Sequence, residues 1–340
     1  MWEIRNRTPF KTAGAFERDT NGQEVWCVAV RASFDIGPQS ALRIAEDQQD
    51  VRVAPEYLPG DGAELAAEQD IVAFATATDL LITGTIGAPA KPVSNWPLKL
   101  ARDGQIKTAE LTGTRIARKG LLGWKVEEHS PVADTLISWR HCYGGTLEPH
   151  HPEWHPANPI GTGMQMQLGA GGERGAEIML PRIHHPGTDI MSWGADTTPI
   201  GFGPIARNWT PRVGYAGTYD AKWEAERSPL LPRDFNPLFF NTAPPDQIVP
   251  DFLHGGETIA LDGFFTTGPV QFKIPQLILT ARTLFRNQPI DTRFTMLRAE
   301  VDLDSRQLRL VYTTKVACNG DDAGIAYSTV RLKQMTGVAV

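Results

Sequence analysis

"LRAEVDLDSRQLRLVY", residues Leu297–Tyr312, decides the fold class. Leu297, Ala299, Val301 and Leu303 alternate with Arg298, Glu300, Asp302 and Asp304. After the turn at Asp304-Ser305-Arg306, Leu308, Leu310 and Tyr312 alternate with Arg309, Val311 and Thr313. A helix repeats its apolar positions every 3.6 residues, whereas a repeat of two puts them on one face of a strand. Two such runs about a short polar turn predict an antiparallel hairpin with one apolar and one polar face.

The same period recurs elsewhere. In "VWCVAVRASF", Trp26, Val28, Val30, Ala32 and Phe34 share one face, which predicts a half-buried strand. The turn at Thr20-Asn21-Gly22 predicts a hairpin between that strand and the segment near Phe16. "DLLITGTIGAP" from Asp79, "GETIALDGF" from Gly256 and "VQFKIPQLIL" from Val270 read as further strands. The only helical hint is "GAELAAEQD", Gly62 to Asp70.

From about Leu121 to Pro250 glycine, proline, tryptophan and histidine crowd together and no period is sustained. Within it, "GYAGTYDAKWEAERSPLLPRDFNPLFFNTAPPDQ", Gly214 to Gln247, fits neither a helix nor a strand. Long loops of this kind are functional or disordered, and disordered segments are poor in aromatics. Trp124, Trp139, Trp154, Trp193, Trp209 and Trp223 all lie in this region, so it reads as ordered and held by its rings. The expected protein is mainly β. Two antiparallel sheet units, sandwich- or barrel-like, occupy 1–120 and 251–333. A large irregular middle, 121–250, packs on the sheets, few short helices occur, and 334–340 is a tail.

The chain has 340 residues, 41% hydrophobic, with a net charge of −6. That supplies a core and lacks the basic footprint of a nucleic-acid binder. The N-terminal "MWEIRNRTPF" has no apolar signal segment, and no apolar run is long enough to span a bilayer. Cys27, Cys142 and Cys318 are far apart and form no CxxC pair, which fits a reducing compartment. A cytoplasmic protein with neither nucleic-acid nor membrane partner is expected.

Candidate chemistry is sparse. "EPHHPEWHPANP" carries His150, His151 and His155, but Pro149, Pro152, Pro156 and Pro159 forbid the helix on which an H-x3-H pair binds metal. "LGAGGERG", Leu168 to Gly175, has Arg174 where a dinucleotide loop needs its last glycine, and reads as a flexible turn. There is no G-x-S-x-G elbow. Asp220, Asp234, Asp246 and Glu257 are acid–base candidates, but acids at turns usually bind local backbone amides. No catalytic constellation, no metal and no cofactor is expected. Two rival classes stay open: a metal-assisted hydrolase using His150, His151, His155 and a nearby Asp, and a carbohydrate-binding module stacking sugars on loop tryptophans.

The order of short motifs is more specific than any one of them. "NRTPF" (Asn6–Phe10), "TATDLLITGTIGAP" (Thr76–Pro89), "WRHCYGG" (Trp139–Gly145) and "NPIGTG" (Asn158–Gly163) come first. "LP" (Leu180-Pro181), "GFGPIARNWTPR" (Gly201–Arg212), "AGTYDAKW" (Ala216–Trp223), "SPLLPRDF" (Ser228–Phe235), "APPDQ" (Ala243–Gln247) and "GGETIAL" (Gly255–Leu261) follow. This series resembles a bacterial family encoded beside type VI secretion genes for VgrG, PAAR-repeat proteins and toxins. The block from Gly201 to Gln247 is its most specific part. Two stretches depart from the family pattern: "FATATD" ending at Asp79, and "GTRIARKG" at Gly113–Gly120. They set toxin specificity apart from that of better-matching members.

The resemblance implies a non-enzymatic, cytosolic effector adaptor or chaperone. It would bind a toxin, or the toxin's PAAR-containing part, and help load it onto the VgrG spike. The partners implied are an effector toxin or a PAAR-repeat protein, with VgrG as a further candidate. Arginines and aromatics are enriched at interfaces, so Arg207, Trp209, Arg212, Arg233, Phe239 and Phe240 are the candidate partner-binding residues. The motif residues expected to shape the fold are Gly144, Gly145, Asn158, Pro159, Gly217, Thr218, Tyr219, Asp220, Trp223, Pro232, Asp234, Asp246, Gln247, Gly256 and Glu257. Tyr219, Trp223, Phe235, Phe239 and Phe240 are expected to pin the coil onto the sheets.

Overall fold

A computed structural model describes residues 2–60, 63–146, 153–169, 172–188 and 197–339. The chain builds two compact units, one from Met1–Leu81, Pro204–Glu257 and Phe272–Val340, the other from Ile82–Gly203 and Thr258–Gln271.

In the first unit, the alternating runs form the expected hairpin, Thr295–Asp302 against Gln307–Ala317. Glu24–Ile36 lies on the other side of Gln307–Ala317, from Gln307 opposite Asp35 to Ala317 opposite Val25. Lys11–Arg18 follows by the hairpin read from Thr20-Asn21-Gly22, with Phe16 opposite Trp26. Thr78–Thr83 and Ile248–Val249 extend the far edge. The N-terminal and C-terminal stretches therefore share one sheet, where the sequence divides them into separate units. Short-range pattern marks each strand but not its partner. A second, four-stranded sheet runs Glu3–Arg7, Ile325–Thr336, Gln276–Phe285, Gln288–Arg293. A buried hydrogen bond from Trp26 Nε1 to Ser328 Oγ (2.9 Å) joins the two sheets, and Ser328 shares a further bond with Thr283 (2.7 Å) on the neighbouring strand of its own sheet. The architecture is mainly β and sandwich-like, without a closed barrel among the described residues.

Alternation also predicts a polar face open to water, and here the structure differs. Parts of residues 45–60 and 63–75 cross that face as a strap. Val25, Cys27 and Ala29 pack against Val51, Ile71 and Ala73. Val72 packs on Leu297 and Val311. The strand Glu24–Ile36 is thus buried on both faces, and burial pushes the Cys27 thiol up to about 12. The polar residues beneath the strap are buried with their charges. Asp70, 0% exposed, accepts hydrogen bonds from Arg298 Nη1 (2.8 Å) and Arg31 Nη1 (3.2 Å). Glu300 accepts from Arg52 Nη1 (2.9 Å) and Arg309 Nη1 (3.4 Å). The stretch read as helical is extended instead, with Leu65–Ala67 paired to Glu56–Tyr57. Leu65 and Ala67 are buried, and the carboxylates of Glu68 and Asp70 are held by arginines from other elements. Tertiary demand overrides the helix propensity of its alanines. Gly62 lies outside the described residues.

The second unit holds a sheet ordered Ile183–His184, Gln105–Thr112, Asn95–Arg102, Thr258–Asp262, Val270–Lys273. Its core includes Phe202 edge-on to Phe264 at 5.1 Å, with Ile86, Leu98 and Leu111. A further sheet pairs Arg115–Gly120 with Gly123–Glu128 on one side and Gly172–Met179 on the other. Gly172–Met179 also pairs with Met166–Gly169, so "LGAGGERG" joins two paired strands.

Burial opposes the charge of Glu300, but the neighbouring guanidinium groups of Arg52 and Arg31 outweigh it and hold its carboxyl well below the usual carboxylate range. A carboxylate whose folded pKa is depressed stabilises the fold above its unfolded value, and that stability is lost as pH falls. Glu300→Gln should therefore cost about 3–5 kcal/mol at pH 7, the range for breaking a buried pair. In urea titrations the gap from wild type should shrink as pH drops below about 4, where the unfolded carboxyl takes up its proton. A gap that stays constant from pH 7 to pH 3 would contradict this.

Candidate functional site

The most specific sequence block, within Pro204–Gln247, forms a layered platform in the first unit. Its inner layer is anchored by charge. The Glu68 carboxylate, 1% exposed, takes Arg207 by two bonds: Nη2 to Oε1 (2.7 Å) and Nε to Oε2 (3.0 Å). Arg212 Nη2 donates to the same Oε2 at 2.9 Å. Burial raises the Glu68 carboxyl, but the Arg207 bonds and the Arg212 charge prevail and hold it below its ordinary value. Arg212 spends its remaining donors on the Ile205 carbonyl (2.6 Å) and the Phe239 carbonyl (3.0 Å), so one buried side chain ties both ends of the block together. Asp79, 0% exposed, accepts from Asn241 Nδ2 (2.9 Å) and from the Thr242 amide (2.6 Å) and hydroxyl (3.0 Å). Gln247 Nε2 donates to the Leu80 carbonyl at 2.6 Å.

The outer layer is shaped by turn chemistry. Gly217 has φ +83°, and a Cβ there would lie 2.8 Å from Pro232 and 2.9 Å from Asp234 Oδ1. Asp234 accepts the Thr218 amide (3.0 Å) and hydroxyl (2.7 Å), and these bonds hold its carboxyl below its ordinary value. The stretch is not wholly coil. Asp220 accepts the Trp223 amide at 2.8 Å and caps a helix, Ala221–Glu226, and a shorter one spans Arg212–Tyr215. Helices of six and four residues are too short to display a period. Trp223 Nε1 donates to the Leu230 carbonyl (2.8 Å), and Arg227 reaches the Thr20 carbonyl (2.7 Å). A surface depression of about 300 Å3 opens between Trp223, Arg227, Pro232 and Arg233. Beside it, Phe235, Phe239, Phe240 and Phe74 form one ring cluster, with Phe240 stacked on Phe74 at 5.4 Å.

The candidate partner-binding residues separate on inspection. Trp209 and Arg212 are each 1% exposed and belong to the interior, so neither meets a partner across the surface. Arg207 is engaged by Glu68, although its side chain is 39% exposed. Phe239 and Phe240 are half-buried in the ring cluster, with the Arg212 guanidinium 5.4 Å from the Phe239 ring. Arg233 is exposed. Tyr219, expected as a pin, is 53% exposed and stands edge-on to Trp223 at 4.7 Å. Trp223 is half-buried and Pro232 buried. The residue that sequence reasoning misses is Glu68. Nothing local marks it, since Glu68 lies between Ala67 and Gln69 and its partners come from distant elements. The outward surface thus presents Tyr219, Arg233, Val213 and part of Trp223 on a frame of buried ion pairs.

The remaining motif residues serve local structure. In the second unit, Asn158 is fully buried, and its Nδ2 donates to the carbonyls of Trp139 (2.8 Å) and Tyr143 (2.9 Å). Gly144 packs so closely that a Cβ would lie 2.2 Å from the Asn158 carbonyl, and Gly145 donates its amide to that carbonyl at 2.8 Å. Pro159 is half-buried. His155 is buried, its Nε2 bonded to the Thr197 carbonyl (2.9 Å) and its Nδ1 accepting the Ala157 amide (3.3 Å). His150 and His151 lie outside the described residues. In the first unit, Glu257 accepts the amides of His254 (2.7 Å) and Gly255 (2.8 Å), and Gly256 has φ +101°. Asp246 sits exposed in the 3-10 turn Pro245–Gln247.

Two truncations should therefore part company. Trp209→Ala should destabilise the fold by about 3–5 kcal/mol, the range for a buried large ring. Tyr219→Ala should stay within about 1 kcal/mol of wild type. Urea unfolding of both variants checks this, and equal losses would overturn the assignment of inner and outer layers.

No curated protein and no solved structure was found that matches the chain. A family model matches residues 21–313, and its description is "Uncharacterized protein conserved in bacteria (DUF2169)". Matched over most of its length, from the first hairpin through the Gln307–Ala317 strand, the chain belongs to this bacterial family.

Proposed function

We propose that the protein is a non-enzymatic adaptor or chaperone. It binds a type VI secretion toxin, or the toxin's PAAR-containing part, in the cytoplasm and helps load it onto the VgrG spike. One observation carries this reading: the block that most resembles the adaptor family is built as a rigid platform. Glu68, Arg207 and Arg212 root it, and its exposed groups are a tyrosine, a tryptophan edge and an arginine. Pre-ordered aromatic and guanidinium groups are what protein recognition uses, because little entropy is lost on docking. Of the four acids that sequence reading offers for catalysis, Asp220, Asp234 and Glu257 hold backbone amides, and Asp246 sits exposed in the turn Pro245–Gln247. Among the described residues no helix is long and apolar enough to cross a membrane. No observation favours the hydrolase or the sugar-binding reading over this one.

The test is co-expression with a type VI toxin and with a PAAR-repeat protein from a bacterium that carries this chain, followed by affinity capture. Tyr219→Ala combined with Arg233→Glu should weaken capture by on the order of 1–2 kcal/mol or more with an unchanged melting temperature. The client should appear in the secreted fraction and this chain should stay in the cells. Full capture by the double variant would remove the platform as the client site. Failure of wild type to capture either protein would overturn the adaptor reading itself.

A further inference from the structure

A second surface stands apart from the platform residues. The outer face of the four-stranded sheet carries Arg5, Arg7, Arg282, Arg293, Arg331 and Lys333, against the carboxylates of Glu3 and Asp291. The register places them in rows across the strands. Arg7 lies opposite Arg331, Arg331 opposite Thr280, and Thr280 opposite Arg293. One row along, Arg5 lies opposite Thr329, Thr329 opposite Arg282, and Arg282 opposite Asp291.

Two of these cations are satisfied within the face. Arg5 pairs with Glu3 (3.0 Å) and covers the Tyr327 ring at 3.6 Å, and Arg282 grips Asp291 through two bonds of 2.8 and 2.7 Å. Arg7, Arg293, Arg331 and Lys333 have no carboxylate within ion-pair distance among the described residues, and all four are exposed. Like charges facing each other on adjacent strands cost stability. The Arg7–Arg331 pair bears that cost, and the nearby acid whose field reaches Arg331 and Lys333, Asp291, is itself gripped by Arg282. A shallow depression of about 280 Å3 lies among Thr280, Arg282, Asp291, Thr292, Arg293, Thr329, Arg331 and Lys333, so four cations and three threonines line it with a single carboxylate.

The charge is also local. Six cations against two carboxylates give the face +4, so the rest of a chain with total charge −6 carries −10. Four strands about 4.8 Å apart make a face roughly 14 Å wide. A nucleic acid, with a charge every few ångströms along its whole length, would extend beyond a face of this width. A short acidic polypeptide would not. In an extended segment, alternate side chains sit about 7 Å apart on one side, and each carboxylate can take a guanidinium fork. Thr292 and Arg293 also line a groove of about 440 Å3 bounded by Phe74 and Lys315, which gives such a segment a continuous path off the sheet.

We propose that this sheet face docks an acidic, extended polypeptide segment, its carboxylates seated on Arg293, Arg331, Arg7 and Lys333. The claim does not depend on what the platform binds. It is tested with the full-length protein and a fluorescein-labelled (Glu-Ser)4 peptide, by anisotropy in about 50 mM salt. Saturable binding is expected, weakened at least tenfold by Arg293→Glu with Arg331→Glu, and likewise by Arg7→Glu with Lys333→Glu. Arg293→Lys with Arg331→Lys should retain more affinity than the reversals, and all variants should melt with wild type because every substituted side chain is exposed. Binding should also weaken several-fold on raising salt to about 200 mM. Three outcomes would overturn the proposal: no binding at millimolar peptide, unchanged affinity in both charge-reversal variants, or tighter binding of a DNA oligonucleotide of equal charge.

Discussion

Two acids two residues apart, Glu68 and Asp70, hold the first unit together. They sit in the strap, and arginines reach them from both sides. Arg31 and Arg298 come from the large sheet to Asp70, and Arg207 and Arg212 come from the platform to Glu68. Arg298 also donates to the Glu68 and Gln69 carbonyls, at 3.3 Å each. Removing these charges from water costs several kcal/mol per ion, and only close, multiply bonded pairing repays it. The pairing here is incomplete, because Arg31 Nε, Arg298 Nε and Arg309 Nε are buried without a partner. An apolar interface would be at least as stable. What the charges add is a single admissible register: a strap shifted by one residue would present Gln69 or Ile71 to the guanidinium groups.

This constraint explains which parts of the fold the sequence discloses. The hairpin at Thr295–Ala317 and the strand at Glu24–Ile36 are legible because a period of two survives any partner. Their burial is not. Arg298, Glu300 and Arg309 alternate as solvent-facing residues do, and nothing local marks an ion-paired face as covered. The stretch Gly62–Asp70 is misread as helical for a related reason, since its alanines favour a helix in isolation while its acids Glu68 and Asp70 are spoken for by arginines 39 to 228 residues away.

The candidate site divides along the same line. The turn chemistry of Gly217, Thr218, Asp220 and Asp234 follows from residue type, because it is local. Exposure does not follow, because it depends on what packs above. Interface preference placed Trp209 and Arg212 at the surface, whereas they form the root of the platform. Tyr219 looked like a pin and stands outside. Arg233 alone among the six candidates is plainly exposed. The motif residues therefore record mostly the frame, and the few side chains that the frame leaves outward are Tyr219, Arg233, Val213 and part of Trp223.

If buried charge sets the position of the platform, removing Glu68 should loosen it selectively. Hydrogen–deuterium exchange of Glu68→Gln against wild type measures this amide by amide. The account predicts at least tenfold faster exchange for amides from Trp209 to Ala216 and from Phe239 to Thr242, with Leu308–Val316 in the central sheet still protected. Unchanged exchange across the platform, or equal loosening of the central strands, would contradict it.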